Sequence, residues 1–258
     1  MERFAFGENW QNFTKRLTPE GYLSAKNSMR ELVGDLSGKT FLDIGCGSGL
    51  FAIAAAALGA KKVVAFDVDP QCVSTAKNLL KNIRQWDPQI REDVMQFSVD
   101  SILNEKLSLG PFDVVYSWGV LHHTGDMHRA FEAVARLVTK GGLLAIAIYN
   151  KHFTSPVWKM IKFTYVKSPA IIRKILVWLV LIVKVPAVLI ISRQNPFSKE
   201  RGMSYYTDIV DWVGGYPYEY ASPAEVTQFF EQRGFKPKRL IKTKGFTGCN
   251  EFVFERIA

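Results

Sequence analysis

Cysteine is scarce, and its number is odd: Cys46, Cys72 and Cys249 are the only three in 258 residues. They show no metal-ligand spacing, and an odd count argues against a disulfide framework. That usage fits a reducing compartment, the cytoplasm, and no metal site is expected. The first ten residues lack a basic region followed by an apolar run, so no signal peptide is expected. No internal repeat and no low-complexity segment occurs. Disorder is excluded as well, because a hydrophobic content of 48% allows a sizeable core. Acidic residues are outnumbered: 24 Asp and Glu face 33 Lys and Arg, a net charge of +9. Such a balance suits nucleic acid, an anionic membrane surface or an acidic substrate, and composition alone does not choose among them. The length suits one α/β domain with an insertion.

One stretch organises the rest, Phe41-Leu42-Asp43-Ile44-Gly45-Cys46-Gly47-Ser48-Gly49. Residues 40–43 end a buried strand, and residues 50–58 are alanine-rich helix formers. Three glycines at alternate positions let the chain turn sharply and keep side chains away from a ligand. The helix start that follows offers unpaired N–H groups and a positive dipole end. The spacing is G-x-G-x-G, not the dinucleotide G-x-G-x-x-G. Asp43 lies inside it. A carboxylate there repels a pyrophosphate and suits an ammonium or a sulfonium.

Strands then alternate with amphipathic helices. Residues 62–67, 94–99, 112–116 and 143–149 read as further strands, with Gly141-Gly142 as the turn before the last. Thr18-Pro19-Glu20, Asp69-Pro70 and Asp126 read as helix starts. Ser222-Pro223-Ala224-Glu225 is a capping box, and residues 235–243 and 251–255 form two strands around a Gly-rich hairpin, 244–250. The alternation predicts a parallel, doubly wound α/β sheet with its ligand at the carboxyl ends of the strands. Residues 3–13 carry Phe4, Phe6, Trp10 and Phe13 without a clear period. They are expected to be an arm packed on the domain or a lid over the site. Asp67 ends the second strand, where an acid accepts hydrogen bonds from ribose hydroxyls.

Taken together, the glycine loop with its internal acid, Asp67, and Ser117-Trp118-Gly119-Val120-Leu121-His122-His123 after the fourth strand resemble class I S-adenosylmethionine-dependent methyltransferases. The resemblance covers residues 40–149 well and 222–255 more loosely. It is nearest to small-molecule methyltransferases of the ubiquinone-biosynthesis type. It implies a Rossmann-like, seven-stranded, mostly parallel sheet with an antiparallel final hairpin and a helical insertion after strand five. An arm and helix (1–38), a core (39–149 and 222–258) and an insertion or lid (150–221) follow as divisions. The implied cofactor is S-adenosylmethionine, held by Asp43, Gly45, Cys46, Gly47, Gly49, Asp67, Val68, Asp100, Ser101, Ser117 and Trp118. Asp100 would meet the adenine amino group, and Trp118 fits either a place near the sulfonium or plain packing.

His122 and His123 are the general-base candidates by residue type, since neutral imidazole can take a hydroxyl proton. Methyltransferases of the resembled class that act on quite different acceptors also carry histidine here, so the resemblance favours a structural or orienting role over catalysis. Trp10 and, from the insertion, Arg201, Tyr205, Tyr206 and Tyr216 are candidates for an acceptor pocket. The expected partner is a small-molecule acceptor, a hydroxyl of an apolar, lipid-like, quinone-like or sugar compound. Two rivals remain. An RNA methyltransferase would use Lys236, Lys238, Arg239, Lys242 and Lys244, although no RNA-binding module is recognisable and nucleic acid is the less favoured partner. A binding protein that kept the fold and lost catalysis is the other.

The insertion also holds an apolar run, residues 170–191. It is nearly long enough to span a bilayer, but Lys184 and Pro186 would sit inside the span. Both ends must also return to one globular domain. Arg173 and Lys184, three helical turns apart, would share one face. The segment is therefore expected to be a helical lid, either buried on the protein or in a homodimer, or touching a membrane peripherally through 156–193.

Overall fold

The computed structural model describes residues 6–187, 205–243 and 248–258. Gly7–Thr14 forms a helix, α1, where no period was apparent in the sequence. Phe6, Trp10 and Phe13 are spaced by four and three residues and so share a helix face. Phe13 is buried in the core. Pro19–Val33 is α2, started by the Thr18 hydroxyl, which accepts from the Gly21 N–H, and ended at Gly34.

Strands and helices then alternate. They are β1 (Thr40–Ile44), α3 (Leu50–Ala57), β2 (Lys62–Asp67), α4 (Pro70–Trp86), β3 (Met95–Val99), β4 (Phe112–Trp118), α5 (Met127–Arg136) and β5 (Val138–Tyr149). Asp69 caps α4 and Asp126 caps α5 through their side chains. Three helices follow, α6 (Ser155–Lys167), α7 (Ala170–Ala187) and α8 (Tyr205–Gly214). The chain closes with α9 (Pro223–Glu231), β6 (Phe235–Ile241) and β7 (Cys249–Arg256).

The strand order is β3-β2-β1-β4-β5-β7-β6. All neighbours are parallel except β7, which runs antiparallel to both β5 and β6. The order reverses between β1 and β4, and a crevice opens at such a switch point. Apolar residues alternate between the sheet's two faces, as the period of two requires. Phe41 joins the layer containing Ile53, Val63 and Leu79. Its neighbour Leu42 joins Phe131, Val134, Phe230 and Phe252 on the other side.

Several boundaries differ from the sequence reading: β4 runs on through Ser117 and Trp118, β6 ends at Ile241, and β7 spans Cys249–Arg256. β5 begins at Val138, because Val138 already pairs with Phe112. The pairing resumes at Val114–Leu143, so the two glycines make an irregularity inside the strand and not a turn before it. Residues Glu92–Val94 form a 3-10 turn before β3. Residues 244–247 of the final hairpin lie outside the described residues.

The capping box before α9 is complete. The Ser222 hydroxyl accepts from Glu225 N–H at 3.2 Å, and the Glu225 carboxylate accepts from Ser222 N–H at 2.7 Å. Ser222→Ala should lower unfolding stability by about 1 kcal/mol. Urea titration should show a lower midpoint and an unchanged slope.

Candidate active site

The site is built at the carboxyl ends of β1, β2 and β4. The loop after β1 turns through three glycines, all left-handed, with φ of 74° at Gly45, 52° at Gly47 and 75° at Gly49. A side chain at Gly45 would meet Val120 at 2.5 Å, and one at Gly49 would meet Ala76 at 2.5 Å. The loop is therefore pinned between the β4 loop and α4, with bare backbone toward the crevice. Gly45 and Cys46 donate their N–H groups to Phe66 O at 2.8 and 3.0 Å.

Asp67 completes the cradle. One of its oxygens accepts from Gly47 N–H at 2.9 Å and the other from Asp69 N–H at 3.0 Å. The Cys72 thiol donates to the carboxylate as well, and since an ionised carboxylate has about four acceptor positions, capacity for a further hydroxyl is left. Burial raises the Asp67 pKa, against the pull of those two backbone bonds. Asp100 is tied in from the next strand, its N–H donating to Asp67 O at 3.0 Å. Its carboxylate accepts from Ser101 N–H at 2.7 Å and Asn104 Nδ2 at 2.8 Å. Val68, beside Asp67, is exposed.

Asp43 is buried beneath the loop. It accepts from Ala52 N–H in the first turn of α3. This replaces a cap that Gly49, without a side chain, does not provide. Burial pushes the Asp43 carboxyl up to about 8, and the Asp67 charge adds to the rise. Ser117 is also fully buried, and its hydroxyl donates to Ile44 O at 3.1 Å, locking the ends of β4 and β1 together. The Trp118 ring stacks on Tyr116 at 5.5 Å, which in turn meets Phe51 at 5.5 Å.

Helix α1 roofs these loops through three anchors. Gly7 N–H donates to Asp69 Oδ2 at 3.1 Å. The Trp10 indole lies on Gly47, where an added side-chain carbon would sit 2.7 Å from the ring. The Phe6 ring is 5.6 Å from His123. Phe6 and Trp10 are one helical turn apart, so one short helix touches the β1, β2 and β4 loops.

The two histidines lie in a 3-10 turn, Leu121–His123, and have opposite tautomers. His122 Nδ1 accepts from Tyr149 N–H at 3.2 Å, which puts its proton on Nε2. That Nε2 is buried without a hydrogen-bond partner among the described residues. His123 Nδ1 is 2.6 Å from Pro217 O, so Nδ1 carries the proton and Nε2 keeps its lone pair. Burial holds His122 well below the usual imidazole range. Burial first, then the Lys162 charge, brings His123 down to about 3.

Lys162, Tyr149 and Glu219 were not singled out for this site by the sequence. Lys162 falls in the stretch 156–193 expected to touch a membrane, yet it is fully buried. Its ammonium donates to Trp212 O and lies over the rings of Trp212, Tyr218 and Tyr149 at 4.3, 4.9 and 5.5 Å. It thereby joins α6 and α8 to the end of β5. The Glu219 carboxylate accepts from Gly125 and Met127 N–H at 3.1 Å, and Glu219 N–H donates to His122 O at 2.9 Å. An aromatic-rich insertion was the available signal, but nothing in spacing tells which cation turns inward. Tyr216 packs on Phe163 of α6 at 5.5 Å. Tyr205 and Tyr206 belong to α8, and their side chains lie outside the described residues, as does Arg201 entirely. No group of three or more metal-ligating side chains occurs among the described residues.

A glycine cradle at a switch point, with an acid ending the neighbouring strand, defines a nucleoside-binding α/β fold. The chain belongs to the methyltransferase domain family, which matches residues 20–237. It is 30% identical over 141 residues to a ubiquinone biosynthesis O-methyltransferase of Nitrosomonas europaea, covering 54% of this chain and 56% of that protein. A ribosomal protein L11 methyltransferase of Aliivibrio salmonicida is 59% identical over 44 residues, 17% of this chain and 15% of that one. The chain thus spans about half, or much less, of these relatives. Among solved structures, magnesium protoporphyrin IX methyltransferase from Synechocystis, with bound S-adenosylhomocysteine, superposes with a TM-score of 0.56 at 17% identity. That match covers 92% of this chain and 84% of the other. The [4+2]-cyclase SpnF superposes at 0.54 with 11% identity, over 90% of this chain and 80% of that one, so the fold alone does not dictate methyl transfer.

S-adenosylmethionine is the cofactor of this family, and the residues present fit it. The loop carries no side chain at its three glycines and has the Trp10 indole as a roof on Gly47, Asp67 retains acceptor capacity, and Asp43 supplies a buried negative charge when ionised. Asp43 holds its proton at neutral pH in the cofactor-free protein. A bound cation favours the ionised form, so binding should release that proton, and affinity should rise with pH up to about 8. Calorimetry from pH 6 to 9 should show this rise for S-adenosylmethionine and a smaller one for the thioether product, which keeps its ammonium but lacks the sulfonium charge. Asp43→Asn should remove the difference between the two.

Proposed function

We propose that this protein methylates a hydroxyl of an apolar small molecule, with His123 as the general base. The observation that carries this reading is the His123 tautomer. Nδ1 is spent on the Pro217 carbonyl 2.6 Å away, leaving an Nε2 that can accept a proton. His122 is the orienting member of the pair, because its lone pair is spent on Tyr149 N–H.

When bound, S-adenosylmethionine supplies an electrophilic methyl and loses its positive charge on transfer. His123 gains a proton from the hydroxyl in the same event, so the net charge of the cleft does not change. That offsets the burial cost that otherwise keeps the imidazole neutral. Phe6, Tyr149 and His123 give the acceptor an aromatic wall. α1 and the α6–α8 insertion serve as lids over it, and much of the rate comes from holding the acceptor in line. Similarity to a ubiquinone biosynthesis O-methyltransferase supports an oxygen acceptor.

An RNA acceptor is less well supported. Lys236, Lys238, Arg239 and Lys242 lie on or just beyond β6, the outermost strand, four positions from β1 in the sheet. At about 4.8 Å per strand that is about 19 Å from the glycine loop. Lys238 pairs with Glu255 at 3.2 Å, and Arg239 donates to Glu31 O at 3.3 Å. Lys244 lies outside the described residues.

The test uses an alkyl-substituted catechol and labelled methyl donor. His123→Ala should lower kcat by about 10²–10⁴ and leave affinity for S-adenosylhomocysteine unchanged. His123 is neutral above a pKa of about 3. The base should therefore add no acid limb to kcat/KM between about pH 5 and 8. Wild-type turnover in His123→Ala would end the base assignment. Lack of transfer to hydroxyl compounds, alongside transfer to an amine or to RNA, would end the acceptor assignment.

A further inference from the structure

The helices α6 and α7 carry an apolar surface that the protein does not cover. They pack inward through Tyr165, Leu176, Val177, Val180 and Leu181 against Ile209 and Val213 of α8. The other side of α7 presents Ile171, Ile172, Ile175, Trp178, Leu179 and Ile182, with exposures from 41 to 70%. Their spacing places them on a face of their own. Val157, Met160 and Phe163 extend it along α6, at 46 to 64% exposure. These nine are more than half of the large apolar side chains exposed among the described residues, and scattered single exposures do not produce such a cluster. A helix apolar on both sides is either buried in something larger or seated in lipid.

Charge decides what covers this face. No Asp or Glu occurs between Glu132 and Glu200, while eleven Lys and Arg do. The remaining 22 basic residues are outnumbered by the 24 acidic ones, so the whole positive balance of the chain comes from this stretch. Lys159, Lys167 and Lys174 are exposed on the two helices. Arg173 has a different task from the shared stripe with Lys184 that spacing suggests. Its guanidinium donates to Tyr165, Val166 and Ser168 carbonyls at 2.8 to 3.1 Å and clamps the corner between α6 and α7. The Lys184 side chain lies outside the described residues. Among the described residues, no helix is long and apolar enough to cross a membrane.

We infer that the α6–α7 face docks on the surface of an anionic lipid bilayer. Its apolar side chains enter the headgroup boundary, with Trp178 at the level where indole is favoured. The lysines reach outward along their apolar stems to lipid phosphates. The face belongs to the insertion that also sends Lys162 to Tyr149 and the histidines, so the site would stand beside the bilayer.

The test is co-sedimentation of the full chain with vesicles of phosphatidylcholine alone or mixed with phosphatidylglycerol, at low and raised salt. Binding should require the anionic lipid and fall as salt rises. Lys167→Glu and Lys174→Glu should each weaken it by about fivefold or more. Ile175→Ser with Trp178→Ser should abolish it while S-adenosylhomocysteine affinity, which checks folding, stays unchanged. Equal binding to both vesicle types, or binding that survives the double substitution, would overturn the inference. So would a dimer in solution that these substitutions dissociate, with no vesicle binding, since a second copy would then cover the face.

Discussion

The bond from Gly47 N–H to the Asp67 carboxylate is the constraint on which the site depends. It joins the turn after β1 to the end of β2 at 2.9 Å and holds the glycine loop in its left-handed path. Without that tie the loop would lose the partner that fixes its middle glycine. The same carboxylate then orders the start of α4 through Asp69, and Asp69 receives the N–H of Gly7 from the roof helix. One acid at a strand end thus organises the loop, the next helix and the lid.

The site's two regions carry different electrostatics. Around the glycine loop, Asp43 and Asp67 are buried close enough for one charge to disfavour the other, a state that a bound cation relieves. Around the histidines, the buried cation is the protein's own Lys162, and both imidazoles stay neutral. A half with two buried carboxyls and a half with a buried ammonium and neutral imidazoles therefore meet at the end of β4, where Ser117 binds β1 and the histidine turn begins.

The insertion is attached to the core through polar contacts and through the Trp212 and Tyr218 rings, which meet Tyr149 at 5.2 and 5.1 Å. Its inner face makes a small apolar cluster of its own, Tyr165, Val177, Ile209 and Val213. Its polar links to the core run through the ammonium of Lys162, the Pro217 carbonyl on His123 and the Glu219 carboxylate at the start of α5. Since these contacts converge on the His pair, placement of the insertion and tautomers of the histidines are set together.

Local chemistry made much of the molecule legible from sequence. Caps at Thr18, Asp69, Asp126 and Ser222 bond to N–H groups two or three residues away, so the chain alone determines them. The alternation of strands with helices, the glycine loop and Asp67 were readable for the same reason: each is a short-range pattern with one physical solution. Helix α1 was equally local and was missed because its aromatics, spaced four and three apart, sit among polar residues. What the tertiary structure alone decided depends on distant partners. Whether His122 or His123 keeps a lone pair depends on Tyr149 and Pro217, 27 and 94 residues along the chain. Whether Lys162 turns inward depends on a carbonyl 50 residues away. Which side of α7 stays uncovered depends on where α8 packs. A proton's position and a charge's burial belong to the assembled fold, because they are set by groups that the linear pattern never places side by side.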